Sequence, residues 1–205
     1  MFTGIISDIG TIVRAIPTPA GREFVVRTAY EGITDGESIA CDGVCLTVRE
    51  AAAGTFTVAA VVTTLERTTL AGWAEGRRIN TERAMALGDR LGGHLVSGHV
   101  DTVADVAGVT TRGDALLVDL VIEPEWMPLM VPHGSIAVNG TSLTVNELLP
   151  DGVQISLIEY TLRHTVLGAL SRGDRVNVEA DMIGKFVQQL AAPHLPSALR
   201  HLPSL

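Results

Sequence analysis

Lysine occurs once in the sequence, at Lys185, cysteine twice, and aromatic residues fill only 4% of 205 positions. Each scarcity removes a class of protein. With 15 Lys and Arg against 23 Asp and Glu, the formal charge is −8. No basic stripe forms from so few cations, which excludes a nucleic-acid binder, because phosphate contacts need clustered Lys and Arg. No apolar run approaches the ~20 residues of a membrane-spanning helix. The opening "MFTGIISDIG" has neither a basic region nor a small-residue cleavage site, so no secretory signal is read there. A soluble, reduced, cytoplasmic protein without a membrane partner is expected. Cys41 and Cys45 are too few for a disulfide framework. On one continuous strand their spacing would hold them about 13 Å apart, beyond bridging distance. The neighbouring Asp, Gly and Val offer few metal ligands, so no metal is expected, and Cys41 reads as a small buried hydrophobe. "GGHLVSGHVD" lacks the G-x-G-x-x-G spacing of a dinucleotide fold. Hydrophobic residues still reach 46%, and a core of Val, Leu, Ile and Ala is large enough to fold unstapled as one domain or two.

What is present is a repeat. "SIACDGVCLTVRE" at 38–50 returns as "SIAVNGTSLTVNE" at 135–147, an offset of 97 residues (135 against 38). At the same offset "TLERTTL" (64–70) faces "TLRHTVL" (161–167), and "GRRINTE" (76–82) faces "GDRVNVE" (173–179). Upstream, "FTGII" (2–6) resembles "VSGHV" (96–100), with Gly4 opposite Gly98 and the frame about three residues out of step, a length that a loop absorbs. Ordered blocks at one spacing mean an internal duplication.

Each half reads as β structure. "EFVVRTA", "SIACDGVCLTVRE", "TFTVAAV" and "RRINTE" are short, rich in Val, Ile and Thr, and separated by turn residues. The second half fills the same slots with "ALLVDLVIE", "SIAVNGTSLTVNE", "GVQISLIE" and "DRVNVEA". Asp-Gly and Asn-Gly mark hairpin turns. About six short strands in roughly 90 residues predict a small antiparallel barrel per half. "TTLERTTLAGW" and "YTLRHTVLGAL" predict short helices closing one barrel end, with Thr as N-cap candidates. After Asp181 the period changes: Phe186 and Leu190 lie four apart, so a helix begins, which Pro193 and Pro196 interrupt. Its apolar face is to be covered by copies of the same helix or by its own chain. The expected divisions are 1–87, 88–183 and 184–205.

Cys45 beside a turn is by default structural, but its twin is Ser142, another nucleophilic or hydrogen-bonding group. Strand alternation pairs Cys45 with Thr47, and Ser142 with Thr144, on one face, which suits a ligand-lined barrel mouth. His94 and His99 would point to opposite faces of a strand, so they do not share a metal. Either can act as an acid or base near neutral pH. Asp181 occurs in one copy only, and His133 and Asn139 have turn-level explanations.

Taken together, "MFTGI", "DGVCLTV", "LGDRLGGHLVSGHVD", "VNGTSLTV" and "VNVEADMIGKFV" resemble the riboflavin synthase alpha-chain family, in its order, from Met1 to about Leu190. The resemblance implies an all-β fold of two Greek-key barrels with a C-terminal helix that assembles a homotrimer. It implies a transferase: two 6,7-dimethyl-8-ribityllumazine molecules exchange a four-carbon unit, giving riboflavin and 5-amino-6-ribitylaminouracil, with no cofactor. Active sites would lie between subunits, and association with a lumazine synthase shell belongs to the same picture. Carried over, Gly4, Ile5 and Ile6, then Cys45, Leu46 and Thr47, then Ala59, Ala60, Val61, Val62, Thr63 and Thr64 hold one lumazine. Ser142, Leu143 and Thr144, with Ser156, Leu157, Ile158, Glu159, Tyr160 and Thr161, hold the other. Gly98, His99, Val100 and His133 border the sites. Cys45, Ser142 and Asp181 would supply base, nucleophile or bound water, and His99 positioning or proton transfer. His133 stands where the family commonly has Lys. Lumazine proteins, which bind the same chromophore without catalysis, are the alternative. They have lost the cysteine, so Cys45, Ser142 and Asp181 favour the enzyme.

Overall fold

Alternating apolar and small polar residues build two closed six-stranded antiparallel barrels in the computed structural model, which describes residues 1–191 and 193. The first comprises β1 (Asp8–Thr18), β2 (Gly21–Arg27), β3 (Ser38–Cys41), β4 (Val44–Ala52), β5 (Thr55–Val61) and β6 (Arg78–Arg83). The second comprises β7 (Thr102–Arg112), β8 (Ala115–Val121), β9 (Ser135–Val138), β10 (Thr141–Leu149), β11 (Gly152–Leu157) and β12 (Arg175–Ala180). The first closes in the order β1-β2-β5-β4-β3-β6, and the second repeats it strand for strand. The hairpin-linked run β3-β4-β5 with β2 returning beside β5 is a Greek key. Bulges recur at equivalent places, Val48/Glu50 in β4 and Val145/Glu147 in β10, where the extra residue bends each strand around its barrel.

In β4, Val44, Leu46 and Val48 point inward and are at most 5% exposed, whereas Cys45 and Thr47 face outward. So small a barrel is filled by its own side chains and keeps no lumen. The polar pairs therefore stand on the outer wall, and not inside a mouth as expected. Cys41 and Cys45 do not share one strand either. Asp42 and Gly43 form the turn of a β3–β4 hairpin that sets Cys41 opposite Val44 and Ala40 opposite Cys45. Both thiols are free, and Cys41 is fully buried.

The barrels meet at their matching turns. Asp42-Gly43 and Asn139-Gly140 both have positive φ (44° and 79°, 43° and 76°), the two-residue turn those dipeptides favour. A Cβ on Gly43 would lie 2.6 Å from the Gly140 nitrogen. Only glycine permits that contact. Around it Asn80 Nδ2 donates to the Asn139 carbonyl at 2.9 Å, and Asn177 Nδ2 to the Asp42 carbonyl at 2.8 Å. Phe2, Ala40, Val96 and Ala137 form a small buried cluster between the barrels.

Each barrel end carries a short helix, α1 (Val62–Arg67) or α2 (Glu159–His164), followed by a 3-10 turn. Neither helix has the expected Thr cap. β5 and β11 run straight into them, leaving Val61 and Ile158 at the N-caps. Thr68 and Thr165 cap the 3-10 turns instead, accepting from Leu70 and Leu167. Helix α3 (Met182–Ala191) begins directly after β12 and ends before Pro193. Pro196 and the "PSALRHL" segment lie outside the described residues.

Candidate active site

Two lead segments cross between the repeats. Phe2 pairs with Val96 through N–H···O contacts of 2.8 and 3.1 Å, and from this bridge each strand of chain reaches the opposite barrel. The Gly4 carbonyl accepts from the Ser142 amide at 2.7 Å, and the Gly98 carbonyl accepts from the Cys45 amide at 2.8 Å. A Cβ on Gly4 would stand 2.6 Å from Ser142 Cβ, and one on Gly98 2.6 Å from Cys45 Cβ. Both glycines have positive φ, 74° and 80°. The grouping of Gly4–Ile6 with Cys45 is thus corrected: those residues lie against Ser142, and Gly98–Val100 lie against Cys45. The reason is that each lead segment completes the hydrogen bonding of the other repeat's β-hairpin.

Each lead segment is fastened to its own barrel by a carboxylate ending the last strand. Glu82 accepts from the Thr3 amide (2.7 Å), the Thr3 hydroxyl (2.6 Å) and the Gly4 amide (2.9 Å). Glu179 accepts from the Ser97 amide (2.7 Å) and hydroxyl (2.6 Å) and from the Gly98 (2.9 Å) and His99 (3.0 Å) amides. Charge-assisted bonds of this kind fix backbone position strongly. Burial pushes the Glu82 carboxyl above its ordinary range, while the bonds from Thr3 and Gly4 oppose that shift. Neither glutamate was singled out, although both end the repeated blocks "GRRINTE" and "GDRVNVE".

Around Cys45 the lead segment leaves a pocket of about 240 Å³, lined by Cys45, Thr63, Thr64, Arg67, Gly98, His99 and Val100, with Val44 and Thr68. Thr47, Val61 and Val62 are exposed along the same wall, and Ala59 is half-buried. Leu46 and Ala60 turn into the core, so any contact they make with a ligand here is through backbone. Around Ser142 the equivalent wall carries half-buried Leu143, Ser156, Thr161 and Ile6, and exposed Thr144, Ile5, Ile158, Glu159 and Tyr160. Leu157 is core. Tyr160 stacks on His164, centroids 4.0 Å apart. His133 occupies a turn before β9 with φ 61°, its amide donating to Val145 at 3.0 Å.

The two walls differ in what touches the nucleophile. His94 Nδ1 lies 2.7 Å from Ser142 Oγ, and its Nε2 is buried without a hydrogen-bond partner among the described residues. Burial pushes the His94 pKa down, opposed by the nearby charges of Asp181 and Glu179. A neutral imidazole on a serine hydroxyl can take up its proton. Asp181 itself caps α3 through Ile183 N at 2.9 Å. Gly93 is pressed against Ser142 Oγ, 2.7 Å from where its Cβ would be. The sequence reading named His94 as able to act as an acid or base but missed its pairing with Ser142, because "GGHLVSGHV" is not a strand: it winds from the Ser142 wall to the Cys45 wall.

Comparison with known proteins agrees with this duplicated geometry. The lumazine binding domain matches twice, over residues 3–84 and 97–181. Riboflavin synthase of Brucella abortus (strain 2308) is 42% identical over 198 residues, covering 93% of this chain and 98% of that protein. Riboflavin synthase of Bacillus subtilis (strain 168) is 39% identical, covering 91% and 88%. The structure of LumP complexed with riboflavin superposes with a TM-score of 0.81 over 88% of this chain and 99% of that one, at 24% identity. Its complex with 6,7-dimethyl-8-(1′-D-ribityl)lumazine superposes at 0.78. These last two share the fold. By its two matched domains and its full-length relatives, the chain belongs to the riboflavin synthase family.

Proposed function

We propose that one molecule of 6,7-dimethyl-8-ribityllumazine binds at the Cys45 wall and a second at a Ser142 wall, and that a four-carbon unit passes between them. One product is riboflavin and the other 5-amino-6-ribitylaminouracil, so carbon balances without an added donor. The carrying observation is that two equivalent strand positions, each crossed by the other repeat's lead segment, present different reactive atoms, Cys45 Sγ and a His94-backed Ser142 Oγ. A reaction of two identical molecules needs this: similar recognition, dissimilar chemistry. In this reading Ser142 with His94 handles the proton lost from the acidic C7 methyl of one lumazine, the Cys45 side holds the lumazine attacked at C7, and Asp181 supports the His94 charge. His99 and Val100 close one pocket, Ile5 and Ile6 the other, and His133 contributes at a rim.

The reading extends to assembly. A pocket of about 240 Å³ is below the roughly 300–1,000 Å³ usual for enclosed ligands, and apolar Val61, Val62, Ile158 and Tyr160 stand 49–65% exposed at the walls. A second copy that sets its Ser142 wall on this Cys45 wall would cover both. Ile183, Phe186, Val187 and Leu190 on α3, each at least 60% exposed, supply the apolar seam of a homotrimer. Residues 1–87 and 88–183 are then the two lumazine barrels and 184–205 the assembly segment. Among the described residues no helix is long and apolar enough to cross a membrane, and we place the protein in the cytoplasm.

The test is incubation of purified protein with 6,7-dimethyl-8-ribityllumazine, following riboflavin absorbance. Riboflavin at many times the spontaneous rate is expected. Saturable lumazine binding with no riboflavin would make the protein a chromophore carrier instead.

A further inference from the structure

A chain of polar contacts joins helix α3 to the wall of the Cys45 pocket. Lys185 Nζ donates to Asp101 Oδ2 at 2.6 Å, and the two side chains are only 13% and 10% exposed. The same oxygen accepts from the Ala180 amide at 2.8 Å, while the Asp101 amide donates to the Val178 carbonyl at 2.9 Å. The residues just before it, Gly98, His99 and Val100, close the pocket. The first two are held by Glu179, one residue before Ala180. Burial pushes the Asp101 carboxyl up, and Lys185 is the chief influence against it. The ammonium is thus what keeps a buried carboxylate an ion-paired acceptor.

Two comparisons within the molecule separate this pair from ordinary barrel stabilisation. The first barrel closes without it: Ser7 stands at the position matching Asp101, and Gly88 at that matching Lys185. Elsewhere α3 meets the described residues of its own chain along one side only, where Met182, Gly184 and Gln188 are half-buried. A Cβ at Gly184 would reach Leu129 at 3.6 Å, but Ile183, Phe186, Val187 and Leu190 are 60–73% exposed. The lone lysine of the sequence supplies a direct ion pair from the helix to the 98–101 segment.

We propose that Lys185 and Asp101 are positioning residues for ligand binding: through their ion pair the seating of α3 sets the Gly98–Val100 wall, and with it the affinity of the Cys45 pocket. This rests on the reading of that pocket as a lumazine site. It makes the pocket responsive to whatever covers the apolar face of α3.

Cys45 reports on its own pocket, because Cys41 is fully buried and silent. The rate of Cys45 alkylation by iodoacetamide is measured with rising 6,7-dimethyl-8-ribityllumazine, at a protein concentration where sedimentation finds all variants in one assembly state. Lys185→Met and Asp101→Asn should each raise the half-protecting lumazine concentration by about fivefold or more, the range of network couplings. Both should also speed alkylation of the ligand-free protein. Lys185→Arg, which keeps the ion pair, should stay within about twofold of the parent. Variants that melt earlier but show unchanged half-protection and unchanged ligand-free alkylation would make the pair merely stabilising and overturn the proposal. Failure of lumazine to protect the parent protein at all would instead strike the lumazine reading, and the proposal with it.

Discussion

Ser142 and Cys45 hold equivalent strand positions, yet only Ser142 has an imidazole on its reactive atom, His94 Nδ1 at 2.7 Å. The arrangement needs His94 neutral, and burial pushes its pKa below the ordinary 6.5. The folded state therefore resists protonation that the unfolded chain accepts, so stability and neutral His94 are both retained above 6.5 and lost only as pH falls further. Riboflavin formation should stay level from pH 8 to about 6.5 and decline below that. His94→Gln should cost on the order of 100-fold in kcat, the usual worth of a general base, and abolish the acid limb. A limb centred above 6.5 in the parent would remove His94 from this role. The equivalence of Cys45 and Ser142 was legible in the sequence because duplication aligned them. The His94–Ser142 contact was not, because the two lie 48 residues apart and strand spacing misread the segment His94 sits on.

At the scale of elements, hydrophobic alternation and the Asp-Gly and Asn-Gly turns were enough to foresee two barrels. The crossing of the lead segments was beyond reach, because periodicity reports which face a residue takes and never which repeat it packs on. Gly4 and Gly98 carry that information in their backbones. Gly98→Ala would force a Cβ to within 2.6 Å of Cys45 Cβ at φ 80°, a strain of about 1–3 kcal/mol. It should weaken lumazine binding at the Cys45 wall, whereas Gly4→Ala should weaken it at the Ser142 wall. Fluorescence titration of the two variants, with Cys45 alkylation to identify the pocket, distinguishes them. The paired turns also hide an asymmetry. Asp42 is fully buried at the junction, its Oδ2 without a hydrogen bond and 3.6 Å from Arg77, where Asn139 stands in the second repeat. Burial raises its pKa from 3.8 to about 7. Between those values the folded state keeps a proton that the unfolded chain releases, so this contribution is complete below 3.8 and is lost as pH rises towards 7. The pH-dependent loss is on the order of 4 kcal/mol. Asp42→Asn removes the titration, so urea unfolding should find its stability advantage over the parent larger at pH 8 than at pH 5. An equal difference at both values would mean that Asp42 is ionised throughout.

For the whole molecule, the repeat explains why one chain carries Cys45 and Ser142 at equivalent strand positions, and the proposed reaction asks how those two walls come to face each other. Cys45 and Ser142 both lie on the outer walls of filled barrels, each crossed by the lead segment of the other repeat. The proposed function brings a Cys45 wall against the Ser142 wall of a second copy, with α3 as the proposed seam. The helix was foreseen from the four-residue spacing of Phe186 and Leu190, but the pattern left open whether its own chain covers it. Phe186 and Leu190 are 62% and 73% exposed, so among the described residues the chain leaves that face open. Replacing both with Asp places two charges in the proposed seam without touching either barrel, and charges desolvated at an apolar interface without partners cost several kcal/mol. Sedimentation velocity should find the parent as trimers and the Phe186→Asp/Leu190→Asp variant as monomers. Far-UV dichroism of the barrels should be unchanged, and each monomer should still bind lumazine weakly while making riboflavin at least about 100-fold more slowly, since juxtaposition of reactants alone is worth that much or more. Dilution of the parent below its assembly concentration should reproduce the loss. A monomeric variant with full turnover would place both lumazines within one chain, and the division of the active site between copies would have to be abandoned.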